Sequence, residues 1–364
     1  MGVRPRALES LAVTPAFWRG KRVFLTGHTG FKGAWLALWL HELGARVTGY
    51  SLTPPSTPSL FETAGIGELI DSRIADIRDL SHLAAVTRKA EPEIVFHLAA
   101  QSLVRSSYDD PIETFSSNVM GTANLLEAVR HCPGAKAVVV VTSDKCYENR
   151  DLARGYVETD PLGGFDPYSG SKACAEIVTA VYRRSFFEKG AAIASARAGN
   201  VIGGGDWGKD RLIPDMVRAF GAGQPVRLRN PDATRPWQHV LDPLAGYLTL
   251  AEQLARDRSS FGGAWNFGPD ASNTVTVGAV AEQVVHRWGG SARWEREAAS
   301  QPHEAKMLAL DATRARTALG WLPRLALGAA VDWTIDWYLQ QARGGDARAL
   351  TVKQIHRYAE AVSA

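Results

Sequence analysis

The chain has 364 residues, 45% hydrophobic and 22% charged, with 41 Lys and Arg against 38 Asp and Glu for a net charge of +3. That length suits a large α/β domain with a smaller companion, and the balance excludes a mainly disordered or fibrous chain and leaves no basic stripe for nucleic acid. Cys132, Cys146 and Cys174 have neither zinc-site spacing nor disulfide-scaffold density, which points to a reducing cytoplasm, and no apolar run nears the roughly 20 residues of a membrane span.

The first 16 residues carry Arg4 and Arg6 without the apolar centre of an export signal and read as a frayed extension. KRVFLT (21–26) reads as a buried strand, GHTGFKG (27–33) as a turn, AWLALWLHELG (34–44) as a helix closed by Gly44, and ARVTGYSL (45–52) as a second strand. This βαβ unit implies a parallel sheet. The alternation continues with IADIRD (74–79), a helix through Lys89, the strand EIVFHLAA (93–100) and one helix around Pro111 to His131. The strand AKAVVVVTS (135–143), a helix from about Tyr168 to Lys189 and the strand AAIASARAGN (191–200) follow.

Past Gly203 to Gly205 the rhythm yields to shorter, more polar elements, and AWNFGP (264–269) then resembles one more core strand. The expected architecture is α/β: a Rossmann-type, doubly wound parallel sheet over 1–199 and 239–268, with a smaller substrate-binding domain over 200–238 and 269–364. Trp35 and Trp39, four apart, read as helix packing.

Gly27, Gly30 and Gly33 sit between strand and helix, where missing β-carbons allow a tight turn and close approach of a pyrophosphate, although a purely structural turn uses glycines too. The acidic residue that would hold an adenosine ribose is absent from GYSLTPPS, which offers Tyr50 and Ser51, so NAD and NADP both stay open at this point. Lys32 could meet a ribose phosphate or lie in solvent. Asp76, beside Ile77, could reach an adenine amino group or cap a helix.

Tyr168 and Lys172 are four residues apart, which puts both on one helix face. A tyrosine with a pKa near 10 becomes a useful base only where a neighbouring ammonium favours its phenolate. GHTGFKG, HLAAQSLVRSS, Asn118 in NVMGT, TSDKCY, YSGSK and RAGNVIGGGDW occur in one order, and on these motifs the chain resembles the extended short-chain dehydrogenase/reductase family over nearly its whole length.

The resemblance implies NAD as cofactor, CDP-glucose or a similar nucleotide sugar as substrate, a place in deoxysugar biosynthesis, and a homodimer joined through the Asn118 and Tyr168 helices. It places Gly27, Thr29, Gly30, Phe31, Lys32, Gly33, Asp76, Ile77, Leu98, Ala99, Ala100 and Asn118 at the dinucleotide, with Tyr168 and Lys172. Ser143, Tyr168 and Lys172 would transfer hydride. Asp144 and Lys145 would act as acid and base in an elimination of water, although the usual ionisation of both residue types favours the opposite states, and a plain ion pair is the alternative for Lys145. An epimerase of the family would generally carry small, non-ionising residues there. A non-catalytic nucleotide sensor is a rival from another class.

For the substrate, the resemblance singles out Gln101, Ser102, Arg105, Asn200, Arg211, Leu212, Ile213, Pro214, Arg235, Asn266 and His303, with Leu212 to Asp215 along the base pocket. Arg211, Arg218, Arg227, Arg229 and Arg235 form a cluster suited to a diphosphate. The histidines are scattered, so no metal site is expected.

Overall fold

The computed structural model describes residues 13–152, 154–297 and 308–363. Strands β1 (Arg22–Thr26), β2 (Arg46–Ser51), β3 (Asp71–Ile74), β4 (Ile94–His97), β5 (Ala137–Val141) and β6 (Ala192–Arg197) lie parallel in the order 3-2-1-4-5-6. The strand Gly263–Asn266 returns to pair with β6, as AWNFGP suggested. Val23, Leu25, Ile94, Phe96 and Val139 enter one core, and Phe24, Val95, Val138, Val140 and Ile193 the other. That split by alternate residues explains why the strands read as apolar runs: both faces are covered.

Thr26 aligns with Tyr50 on one side and His97 on the other, so β1, β2 and β4 end at one level. Strand order reverses between β1 and β4, which opens a crevice beyond their carboxyl ends. Trp35 is fully buried and donates to the Gly204 carbonyl at 2.9 Å, while Trp39 meets Tyr358 edge to face. The C-terminal helices Leu327–Ala342 and Ala347–Ser363 lie against earlier parts of the chain: the Tyr338 hydroxyl donates to Asp206 O at 2.5 Å and Arg348 Nε to Ala64 O at 2.6 Å. Among the described residues, no helix is long and apolar enough to cross a membrane.

Three elements differ from expectation. β3 ends at Ile74, so IADIRD is mostly a turn, in which the Asp76 side chain accepts from Arg78 N at 2.8 Å and Asp79, not Asp76, caps the next helix through His82 N. The stretch around Pro111 to His131 is helical but broken by a π-helical turn, Ser116–Met120, centred on Asn118. Such wide turns re-aim one side chain: here Asn118 holds the backbone of Gln101 at both N–H and C=O, 2.8 and 2.9 Å away. The helix bearing Tyr168 spans Pro167–Ser185 and ends one turn early.

Candidate active site

The glycine turn is shaped for close approach. Gly27 has φ +77°, and a β-carbon there would lie 2.6 Å from Ala99 N; on Gly33 it would lie 2.0 Å from Gly27 O. Side chains at these positions would fill the cradle. The Phe31–Glu42 helix starts at Gly30 with no side-chain cap, leaving its first N–H groups to face the crevice, where the helix dipole favours an anion. Leu98 and Ala99 donate to Thr26 Oγ1, which fixes the exit of β4 against Gly27. These features fit a dinucleotide pyrophosphate.

At the end of β2, Tyr50 is core, its hydroxyl spent on Asp76 O, and Ser51 Oγ bonds Thr29 Oγ1 at 2.8 Å, which ties the strand to the turn. Asp76 sits at the rim in an ion pair with Arg78, which holds its carboxyl below the usual range, and Ile77 is buried against Gly121. Lys32 is partly buried. It lines the large cavity with Lys145, Tyr168 and Arg211, and burial with the repulsion of Lys172 lowers its pKa to about 8.

The catalytic candidates meet at the end of β5. Asp166 caps the Pro167–Ser185 helix by accepting from Ser169 N at 2.9 Å, and Pro167 follows at its first position. That start sets Tyr168 in the cavity wall with Ser143. Ser143 Oγ in turn donates to Asp144 Oδ1 at 3.0 Å, and Lys145 Nζ lies 3.4 Å from the same oxygen. Asp144 is fully buried, and its Oδ2 has no hydrogen-bond partner among the described residues.

Desolvation pushes the Tyr168 phenol up to about 12 and the Lys172 ammonium down to about 8. Lys172 makes no hydrogen bond or ion pair with a described residue, which fits a ribose hydroxyl as its acceptor. Behind it, Glu176 accepts from Thr142 at 2.5 Å and Ser195 at 2.6 Å and pairs with Arg197 at 2.8 Å. This buried ionic knot pins the helix to β5 and β6.

A cavity of about 550 Å³ opens from these groups and is lined by Ser102, Arg105, Asn200, Arg211, Leu212 to Asp215, Arg227, Arg229 and Arg235. Its volume is within the range for small-ligand sites. Asn200, which lines the cavity, is held at φ +47° with its Oδ1 buried and without a hydrogen-bond partner among the described residues. Arg211 is fixed by Asp206 at 3.0 Å and Ser102 at 3.0 Å, and Arg229 by Asp210 at 3.1 Å.

Three expected contacts lie elsewhere. Arg218 turns away to the carbonyls of Trp207 and Gly208. Asn266 is fully buried: its amide donates to Tyr156 O and Asp311 O and its oxygen accepts from Tyr147, so it knits strands and does not face the cavity. The Gln101 side chain folds its own loop through Leu103 and Thr114. His303 lies outside the described residues. Conversely, Gly199, Asp206, Asp210, Trp237 and Glu297 line the cavity although the sequence did not single them out. The aspartates sit in or just past GNVIGGGDW, where a carboxylate near clustered arginines was the available signal.

Comparison with known proteins agrees with this geometry. The family model described as GDP-mannose 4,6 dehydratase matches residues 24–333. The CDP-glucose 4,6-dehydratase of Salmonella typhimurium (strain LT2) is 50% identical over 353 residues, 95% of this chain and 98% of that protein. The dTDP-glucose 4,6-dehydratase 1 of Escherichia coli (strain K12) is 25% identical over 291 residues, 75% and 79% of the two chains. Among solved structures, the UDP-glucuronic acid 4-epimerase from Bacillus cereus superposes with a TM-score of 0.76 at 21% identity, covering 88% of this chain and 99% of that one, which establishes the fold. With its Rossmann-type sheet, this extended short-chain dehydrogenase/reductase belongs to the GDP-mannose 4,6 dehydratase family.

Proposed function

We propose that the chain is an NAD-dependent CDP-glucose 4,6-dehydratase, converting CDP-D-glucose to CDP-4-keto-6-deoxy-D-glucose and water. The observation that carries this reading is an ionisable pair, Asp144 and Lys145, beside Ser143 and Tyr168 at one end of the cavity, in a chain 50% identical along its length to a CDP-glucose 4,6-dehydratase.

NAD, its pyrophosphate held at Gly27, Gly30 and Gly33, would supply a two-electron carrier for oxidation at sugar C4 and reduction at C6, and its positive ring would favour the ionised phenol of Tyr168. The residues do the rest. Tyr168 removes the proton from the C4 hydroxyl, Ser143 hydrogen-bonds that oxygen as it becomes a carbonyl, and Lys172 orients the ribose. The C5 hydrogen, now acidic beside the carbonyl, passes to Lys145, and Asp144 protonates the departing C6 hydroxyl. Lys145 returns a proton to C5 as C6 is reduced.

Elimination needs a neutral lysine and a protonated aspartate. In the structure the two side chains lie 3.4 Å apart, with Asp144 fully buried. Passing one proton from Lys145 to Asp144 yields both required states without changing the net charge.

The competing reading is a C4 epimerase, the activity of the Bacillus cereus structural relative. Inversion at C4 requires neither an acid for C6 nor a base for C5, so it leaves Asp144 and Lys145 without work. Incubation with CDP-glucose, UDP-glucose and dTDP-glucose decides: the expected product has lost one water and forms fastest from CDP-glucose, with deuterium from C4 recovered at C6. Inversion alone, or binding without turnover, overturns it.

The enzyme is proposed to act as a cytoplasmic homodimer. Its three cysteines are free, as in a reducing compartment. Ile112 and Met120 on one helical stretch and Ile177 and Val181 on the Pro167–Ser185 helix are all more than half exposed, an apolar surface suited to a second copy. Sedimentation should give a dimer that Val181→Asp converts to monomer; a monomeric wild type rejects the assembly.

A further inference from the structure

Among the described residues the cavity is lined by five carboxylates, and four are committed to cations. Asp144 pairs with Lys145, Asp206 with Arg211, Asp210 with Arg229 and Arg105, and Asp215 with Arg218. Glu297 is the fifth, and its side chain has no hydrogen bond or ion pair with any described residue. It follows the strand Trp294–Arg296, which pairs with Val226–Leu228, and its own N–H donates to Leu228 O at 2.9 Å, so the strand pairing fixes its backbone.

The order of groups along the cavity sets what Glu297 faces. Sugar chemistry belongs at Ser143 and Tyr168, beside Asp144 and Lys145. A diphosphate belongs with Arg211, Arg229 and Arg235. The nucleobase then reaches the part walled by Leu212, Val226, Leu228 and Val277, apolar surfaces that suit the faces of a ring. Glu297 is the uncommitted carboxylate among the described residues at that end.

We propose that Glu297, seated at the apolar end of the cavity beside Leu228, selects cytosine over uracil and thymine by accepting a hydrogen bond from the base's exocyclic amino group. The inference rests on the CDP-sugar reading above. Cytosine presents an amino donor where uracil and thymine present a carbonyl acceptor, and a carboxylate is the side chain that accepts from that donor. The same carboxylate repels a carbonyl oxygen, so one residue both favours the right base and rejects the wrong ones.

The test measures binding of free CDP and UDP by calorimetry, alongside turnover of CDP-glucose and UDP-glucose, in wild type, Glu297→Leu and Glu297→Gln. Wild type should prefer CDP by about 10- to 100-fold. Glu297→Leu should lose that preference, and Glu297→Gln, whose amide can donate to a uracil carbonyl, should gain UDP binding. A CDP-to-UDP ratio unchanged within twofold in both variants overturns the inference, even if wild type dehydrates CDP-glucose. Failure of wild type to dehydrate CDP-glucose overturns the functional reading instead, and the nucleotide ratio still decides the role of Glu297. Circular dichroism of each variant separates misfolding from altered recognition, and the glutamine variant preserves size and polarity should the leucine variant misfold.

Discussion

Gly199 closes directly over Asp144: a β-carbon added to it would lie 1.9 Å from Oδ2 and 2.1 Å from the carboxyl carbon. The glycine, two residues past the end of β6, therefore shapes the pocket of an acid that lies in the turn just past β5. Gly199→Ala should push the carboxylate off Ser143 and Lys145. A displacement near 1 Å can cost about 100-fold in rate, so kcat should fall by that order while CDP binding at the arginine end changes little. Wild-type kcat in a folded Gly199→Ala protein would remove Asp144 from the proposed role.

Asp144 and Lys145 act at different bonds, so their loss should stop the reaction at different points. Asp144→Asn keeps the shape but cannot protonate the C6 oxygen; oxidation at C4 should proceed and reduced cofactor accumulate, visible by its absorbance, without loss of water. Lys145→Ala should slow exchange of the C5 hydrogen with solvent more than it weakens substrate binding. Equal exchange in wild type and Lys145→Ala assigns the base elsewhere and leaves Lys145 as an ion-pair partner.

Tyr168→Phe removes the phenol hydroxyl and leaves the buried ring packed. General-base loss typically costs about 10²- to 10⁴-fold, and nucleotide binding should persist because the arginines are untouched. Unchanged turnover would exclude Tyr168 from proton removal.

The sheet was readable because each strand is covered on both faces and advertises itself as an apolar run; β3 was misplaced because its residues, Asp71 to Ile74, are polar or exposed and carry no such mark. Tyr168 and Lys172 were readable as a pair from their spacing on one helix, whereas Ser143 entered through the family resemblance. Asn266 misled because a polar residue at a strand end reads alike whether it faces a ligand or, as here, three internal partners. Gly199 and Glu297 were illegible for a different reason: one matters through the atom it lacks against a residue 55 positions away in sequence, the other through having no partner, and neither property is local.

Lys172 ties catalysis to stability with a definite sign. Burial lowers its pKa to about 8 in the folded protein, against a reference of about 10.4 for the unfolded chain. Below pH 8 both states hold the proton and the whole cost of a buried ammonium is present; between about 8 and 10.4 the unfolded chain holds more protons, so wild-type stability rises with pH there. The cost is at most roughly 3 kcal/mol. Lys172→Met should therefore stabilise the cofactor-free protein at pH 7, with a gain that fades as pH approaches 10, while turnover is lost. Relief of repulsion on Lys32 adds to that gain in the same direction. Urea unfolding of both proteins at pH 7 and pH 10 checks it, and a variant less stable than wild type at pH 7 would mean that the ammonium is held by compensating contacts and is not strained by burial.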